Sequence, residues 1–131
     1  MQIKGRIIAR GKARGKALVC RDAISFLGGI DPKTGTVIEK GHALEGKNVA
    51  GTVLVFPTGK GSTVGSYVML QLKKNGKAPA AIINATAEPI IAVGAIISGI
   101  PMLDKPEKDI FSAIKDGADV EVDAEKGIII L

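Results

Sequence analysis

What most narrows the fold of this chain is a pair of apolar runs separated by a helix pattern. Val53-Leu54-Val55-Phe56 is a continuous, β-branched-rich run bounded by Gly51 and Pro57. A strand with no polar side chain on either face is one covered on both sides, as in a parallel sheet. It runs into a glycine-rich turn. From Ser62 onward, Val64, Tyr67, Val68, Leu70 and Leu72, followed by Lys73 and Lys74, fit a helix ending before Gly76. Ala80 to Ile83 then reads as a second buried strand. Strand, helix and strand within about 30 residues predict a right-handed βαβ unit with parallel pairing.

The remaining segments are read around that unit. Ile3 to Ala9 and Ala17 to Val19 predict short strands, separated by Gly11 and Gly15. The stretch from Ser25 to Gly35 is a loop by composition, too long for a mere connector, and so a candidate wall of a site. Ala78 to Leu103 is unusually apolar, but Glu88, Pro79, Pro89, Gly94 and Gly99 interrupt it, so it reads as buried strands and loops. A membrane helix would need about 20 predominantly apolar residues in a row. Glu107 to Lys115 predicts an amphipathic helix with Ile110, Phe111 and Ile114 inward, and Val120 to Leu131 a hairpin turning at Asp123 to Gly127. The expectation is a compact mixed α/β domain with a β-rich shell, a single domain over residues 1–131.

Composition removes several functions. With one cysteine, Cys20, the chain can build neither an internal disulfide nor its own zinc or iron-sulfur site, which needs about three or four ligands. Any metal must come from a partner. The formal charge of +5 is spread along the chain, and one Tyr and three Phe offer no stacking platform, so nucleic acid is not the expected partner. A modest positive charge equally draws an anionic substrate into a cleft. Met1 to Arg6 is charged and lacks the apolar core of a signal peptide, so the expected location is cytoplasmic, with no membrane association.

Chemistry concentrates in Pro57-Thr58-Gly59-Lys60-Gly61-Ser62-Thr63-Val64-Gly65-Ser66. This turn lies between the carboxyl end of a buried strand and a helix, where α/β sheets place ligands and unpaired N–H groups welcome an anion. Its spacing matches neither the Walker loop nor the dinucleotide fingerprint. Ser62 has two readings, a helix cap stabilising by about 1 kcal/mol or a catalytic base, and spacing leaves both open. As a base it faces a steep requirement. A hydroxyl that ionises about as reluctantly as water must have its pKa lowered by about 8 units to ionise at neutral pH, on the order of 11 kcal/mol. A helix dipole supplies about 0.3 to 2 kcal/mol. Cationic neighbours in a dry pocket are therefore required, and this chain does not obviously carry them. Thr63 and Ser66 are weaker candidates, and Lys60 is either solvated or an anion contact. His42, the lone histidine, reads as structural or exposed, since no Ser/His/Asp set can be assembled around it. Glu88 is the carboxylate expected nearest the same sheet end, and holding a turn through backbone N–H groups is its simplest role.

Four ordered motifs carry a resemblance: Ile24 to Gly35, Val53 to Val68, Ala78 to Asn84, and Ala87-Glu88-Pro89-Ile90. Together they are similar to the small-subunit family of aconitase X type enzymes, nearly end to end. The resemblance implies a swivelling β/β/α domain like the fourth domain of aconitase. It implies a hydro-lyase whose catalytic serine, here Ser62, takes the proton from the carbon next to a carboxylate. It also implies a larger subunit, paired with this chain as a heterodimer, holding a 4Fe-4S cluster whose open iron binds the departing hydroxyl. Stand-alone chains of archaeal type look like those dehydrating 5-phosphomevalonate to trans-anhydromevalonate 5-phosphate in a modified mevalonate pathway. Fused or bacterial relatives include cis-3-hydroxyproline dehydratases, and a non-catalytic anion-binding module is the remaining alternative. The candidate substrate-binding residues are Lys60, Gly61 and Thr63 of the turn and Ser25, Gly28 and Gly29 of the loop. The sequence departs from the family at Cys20, where a serine is expected, and at Arg14, where an acidic residue is frequent. Cys20 is expected to pack as a small apolar residue.

Overall fold

The computed structural model describes residues 1–131. Eight strands, β1 (Gln2–Lys4), β2 (Arg6–Ala9), β3 (Lys12–Val19), β4 (Val53–Phe56), β5 (Ala81–Asn84), β6 (Met102–Asp104), β7 (Asp119–Asp123) and β8 (Ile128–Ile130), form one sheet in the order β1-β8-β7-β3-β4-β5-β6-β2. Helices α2 (Gly65–Lys74), α3 (Pro89–Ser98) and the short α4 (Ile110–Ala113) accompany it, with a turn, α1 (Phe26–Gly29), whose Leu27 and Gly28 are not helical.

The predicted βαβ unit is present. β4 and β5 pair in parallel from Val53↔Ala81 to Phe56↔Asn84, with α2 between them in sequence. The absence of polar residues in β4 has the expected cause, because both faces are buried. Leu54 and Phe56 point into one cluster with Val68, Met69 and Leu72 of α2 and Ile91 and Ala95 of α3. Val53 and Val55 point into a second, with Ile3, Ile110, Val120, Val122 and Ile129. The stack is therefore helices, parallel strands and an antiparallel β shell, the β/β/α arrangement.

β3 joins the two β layers. Lys12 to Lys16 pair antiparallel with β7, and Ala17 to Val19 pair parallel with β4. Gly11 and Gly15 predict a strand confined to Ala17–Val19, but the strand runs on through Gly15. A Cβ there would lie 2.5 Å from the Gly51 carbonyl oxygen, so this glycine serves close approach rather than a break. The predicted strand Ile3 to Ala9 is divided at Gly5, since β1 pairs with β8 and β2 with β6. The two edge strands thus meet at one residue, and the sheet folds over on itself.

The largest departure is α3, where strands and loops are expected. Each breaker occupies a position that suits a helix. Pro89 stands at the start, where its missing N–H costs nothing. Glu88 caps it by accepting from Ile90 N and Ile91 N at 3.0 and 3.3 Å. Gly99 closes it at φ 67 in the left-handed region. Gly94 lets α2 come close, because a Cβ would strike Met69 Sδ and lie 3.2 Å from Ser66 Cα. α4 is shorter than expected but buries Ile110 and Ile114, with Phe111 half-buried.

Candidate functional site

The carboxyl ends of the parallel strands β3, β4 and β5 deliver three segments to one place: the long excursion 20–52, the turn 57–64 and the start of α3. Backbone pairing ties the excursion to the turn. Ile24 N donates to Thr58 O at 3.2 Å and Lys60 N to Ile24 O at 3.0 Å. The loop from Ser25 is thus anchored to the turn at its start rather than being a floppy surface excursion. Inside it, Ile30 bridges Val37 and Thr36 bridges Asn48.

Ser62 is exposed. Its Oγ accepts the Val64 N–H at 3.1 Å, a cap-type bond on the turn that leads into α2, although the regular helix begins only at Gly65. That bond engages one oxygen lone pair and leaves the hydroxyl proton and the second lone pair free, so capping and proton acceptance are compatible. Gly61 holds φ 97, and a Cβ on it would strike Ser25 Oγ. Ser25 in turn donates to Leu27 O at 2.8 Å. The serine of the loop therefore braces the glycine of the turn, and Ser62 follows directly.

The other predicted residues are placed unevenly. Lys60 Nζ lies 3.1 Å from Glu39 Oε2, so its charge is already engaged. A Cβ on Gly29 would stand 3.4 Å from Glu39 Oε1, which makes Glu39 the link between Lys60 and the loop. Sequence reasoning missed Glu39 as a site residue, and nothing in a pair spaced 21 residues apart signals it. Gly28 faces open space. Thr63 is exposed and its hydroxyl has no protein partner. Ser66 is buried and donates to Ile90 O at 2.6 Å, so it joins α2 to α3 instead of serving the turn.

Glu88 sits beside the turn, since a Cβ on Gly59 would lie 3.3 Å from its Oε2, but its oxygens are occupied capping α3. His42 is buried, accepting Leu44 N–H at Nδ1 and donating from Nε2 to Ala23 O, both at 3.0 Å; it organises its loop. Asn84, fully buried at the end of β5, donates to Phe56 O at 3.1 Å and leaves Oδ1 without a partner. Cys20 is buried with its Sγ 3.3 Å from Asp22 O, and burial pushes the thiol up to about 11. It is a packed residue rather than a ready thiolate ligand. No three His, Cys, Asp or Glu side chains gather anywhere on the chain, so its residues do not fit an iron-sulfur cluster or a metal ion.

Ser62 lines none of the four concavities of the chain, the two largest of which hold about 380 Å³ each. A loop, a glycine turn and two helix starts meet there on an open face, where an enclosed pocket needs a further wall.

The family model of the aconitase X swivel domain matches residues 2–131. The phosphomevalonate dehydratase small subunit of Methanocella arvoryzae is 70% identical over 129 residues, covering 98% of each chain. That of Methanosarcina acetivorans is 60% identical over 129 residues, covering 98% of this chain and 90% of the relative. The crystal structure of Thermococcus kodakaraensis aconitase X in its holo form superposes with a TM-score of 0.93 at 53% identity, covering 98% of this chain and 96% of that one.

Proposed function

Because the chain belongs to the aconitase X swivel-domain family, we propose that it is the small subunit of a phosphomevalonate dehydratase, a hydro-lyase, working as one swivel domain over residues 1–131. The observation that carries this reading is the 70% identity to a small subunit so named across 98% of both chains. The reaction removes water from 5-phosphomevalonate to leave trans-anhydromevalonate 5-phosphate in the cytoplasm, where this chain contributes the base and a larger subunit the rest of the site. No helix of this chain is long and apolar enough to cross a membrane.

Ser62 Oγ is the group assigned to take the proton from the carbon next to the carboxylate. Its free lone pair supports the role, and the energetics explain why it needs company. Ionisation asks for about 11 kcal/mol. The Val64 N–H, as a bond to a charged oxygen, contributes about 1.5 to 3 kcal/mol, and the start of α2 contributes about 0.3 to 2 kcal/mol. About 6 kcal/mol or more is missing, and Lys60 is held by Glu39. A unit charge at about 4 Å near a protein surface is worth about 4 kcal/mol, so at least two cations of the larger subunit, closing over the turn, complete the base. An iron-sulfur cluster is assigned to that subunit, where it would assist departure of the hydroxyl. Lys60, Gly61 and Thr63, with Ser25, Gly28 and Gly29 across the turn, form this chain's side of the substrate pocket.

The test is turnover after reconstitution with the large subunit. Ser62→Ala should lower kcat by about 10²- to 10⁴-fold, the range for loss of a positioned base, with assembly unchanged. Near-normal turnover would remove Ser62 from the chemistry. Offering cis-3-hydroxyproline in the same assay separates the substrate from the reaction type: faster turnover than phosphomevalonate would keep the hydro-lyase and replace its substrate.

A further inference from the structure

α3 is apolar on every side. Pro89-Ile90-Ile91-Ala92-Val93-Gly94-Ala95-Ile96-Ile97-Ser98 carries no charge, and its one polar side chain, Ser98, is buried. A helix apolar all round belongs in an interior. Here only half of it is covered: Ile91, Gly94, Ala95 and Ser98 face the core, whereas Val93, Ile96 and Ile97 are 49%, 58% and 48% exposed. Across the seam that Gly94 and Ser66 make between the two helices, Tyr67 of α2 stands 66% exposed.

The size of this face decides what it is for. With side chains of about 150 to 220 Å² when fully exposed, these four present about 400 Å² of surface on two packed helices, within the range in which patches are functional. Val64 and Leu27, 44% and 43% exposed beside the Ser62 turn, raise it to about 550 Å². A standard interface takes about 800 Å² from each partner, of which about 60% is apolar. The match is to one side of a stable protein interface.

Two observations choose the occupant. The helix that bears this face starts at the Ser62 turn, because Glu88 at its head lies against Gly59, so a chain closing over Ser62 meets α3 next. A second copy would set a charge of +5 against another +5. The geometry points to the outer face of α3, with Tyr67, as the docking surface for the large subunit, which rests on the reading of this chain as a small subunit.

Titration calorimetry with purified large subunit tests it. Val93→Asp with Ile97→Asp should weaken Kd by about 100-fold or more, with an unchanged circular dichroism spectrum, and saturating large subunit should restore kcat to within about threefold. In Ile97→Cys, maleimide labelling of the new thiol should slow at least about tenfold on adding the large subunit, since Cys20 is buried. Unchanged Kd in the double variant, or labelling that the large subunit does not slow, overturns the docking surface while leaving the base assignment standing. The converse is also readable, because Ser62→Ala should keep wild-type Kd whatever its kcat. Sedimentation showing that the chain alone dimerises through this face, with the double variant monomeric yet binding the large subunit normally, assigns it to a second copy and overturns the proposal. Failure of the wild-type chain to bind overturns the small-subunit reading as well.

Discussion

Replacing Gly61 by alanine should separate stability from catalysis. The residue sits at φ 97, outside the range L side chains adopt easily, and the new Cβ would strike Ser25 Oγ and lie 3.2 Å from Ser25 Cβ. Holding alanine there costs about 1 to 3 kcal/mol, and rotating Ser25 away loses its 2.8 Å bond to Leu27 O, about 1 kcal/mol more. The turn is exposed and can shift to relieve part of this, so the expected loss of stability is about 1 to 2 kcal/mol. For a chain of this size that lowers Tm by about 3 to 8 °C. The same shift moves Ser62, the next residue, by a distance on the order of 1 Å, which costs about 10²-fold in turnover. Thermal unfolding and steady-state turnover of the reconstituted enzyme measure the two effects independently. Adding Ser25→Gly removes the collision but not the positive φ, so the double variant should regain about tenfold in kcat with little change in Tm. Turnover of Gly61→Ala within about threefold of wild type, or a double variant no better than the single, would refute the bracing of the turn by Ser25.

Other expectations concern the frame. Asp104 is fully buried, bonds Arg6 twice at 2.8 Å and accepts Ala87 N–H at 2.7 Å. Burial alone would raise its carboxyl, but the Arg6 guanidinium and the Ala87 N–H prevail and hold it below the usual carboxylate range. Asp104→Asn should lower stability by about 2 kcal/mol, less than for a fully buried pair because Arg6 remains half in water. A depressed pKa stabilises above the ordinary value and stops doing so as pH falls through the folded one. The Tm difference from wild type should therefore be constant above about pH 5 and close in stronger acid; a gap that widens on acidification contradicts the assignment. Gly94→Ala sets helix propensity, a gain of about 1 kcal/mol, against a Cβ pressed on Met69 and on Ser66 Cα at 3.2 Å, an overpacking cost of about 1 to 3 kcal/mol. The cost should prevail and lower Tm by a few degrees, and a raised Tm would show that α2 and α3 separate freely.

What the sequence made legible follows a physical division. β4, α2, β5 and the final hairpin were readable because their patterns are local: an unbroken apolar run, a helical period closed by glycine, an alternation around a tight turn. α3 was not, because its markers have opposite meanings at different positions. Pro89, Gly94 and Gly99 interrupt a helix from within but start, pack and end one here. The division of Ile3 to Ala9 at Gly5 was equally hidden, since only distant pairing with β8 and β6 sends its halves to opposite edges. In the site, Ser62, Gly61 and Lys60 stood in one motif, whereas Glu39 and the bond of Ser25 come from a loop whose path no local pattern specifies.

Two shortfalls of the isolated chain lie side by side. One is chemical: Ser62 lacks about 6 kcal/mol of the stabilisation a neutral-pH base needs. The other is solvational: α3 leaves an apolar stripe in water that contributes at roughly 25 cal/mol per Å² once covered. At about 550 Å² that is about 14 kcal/mol of gross transfer free energy, before the cost of association, about 4 to 15 kcal/mol. Burial of this chain's side of the stripe thus breaks about even against the upper end of that cost and exceeds the lower end by about 10 kcal/mol. At the upper end the interface has no surplus with which to order cations, and those brought to Ser62 must then be fixed by the partner's own fold. A large subunit whose site-facing cations are disordered when alone, and become ordered only on binding this chain, would break that balance.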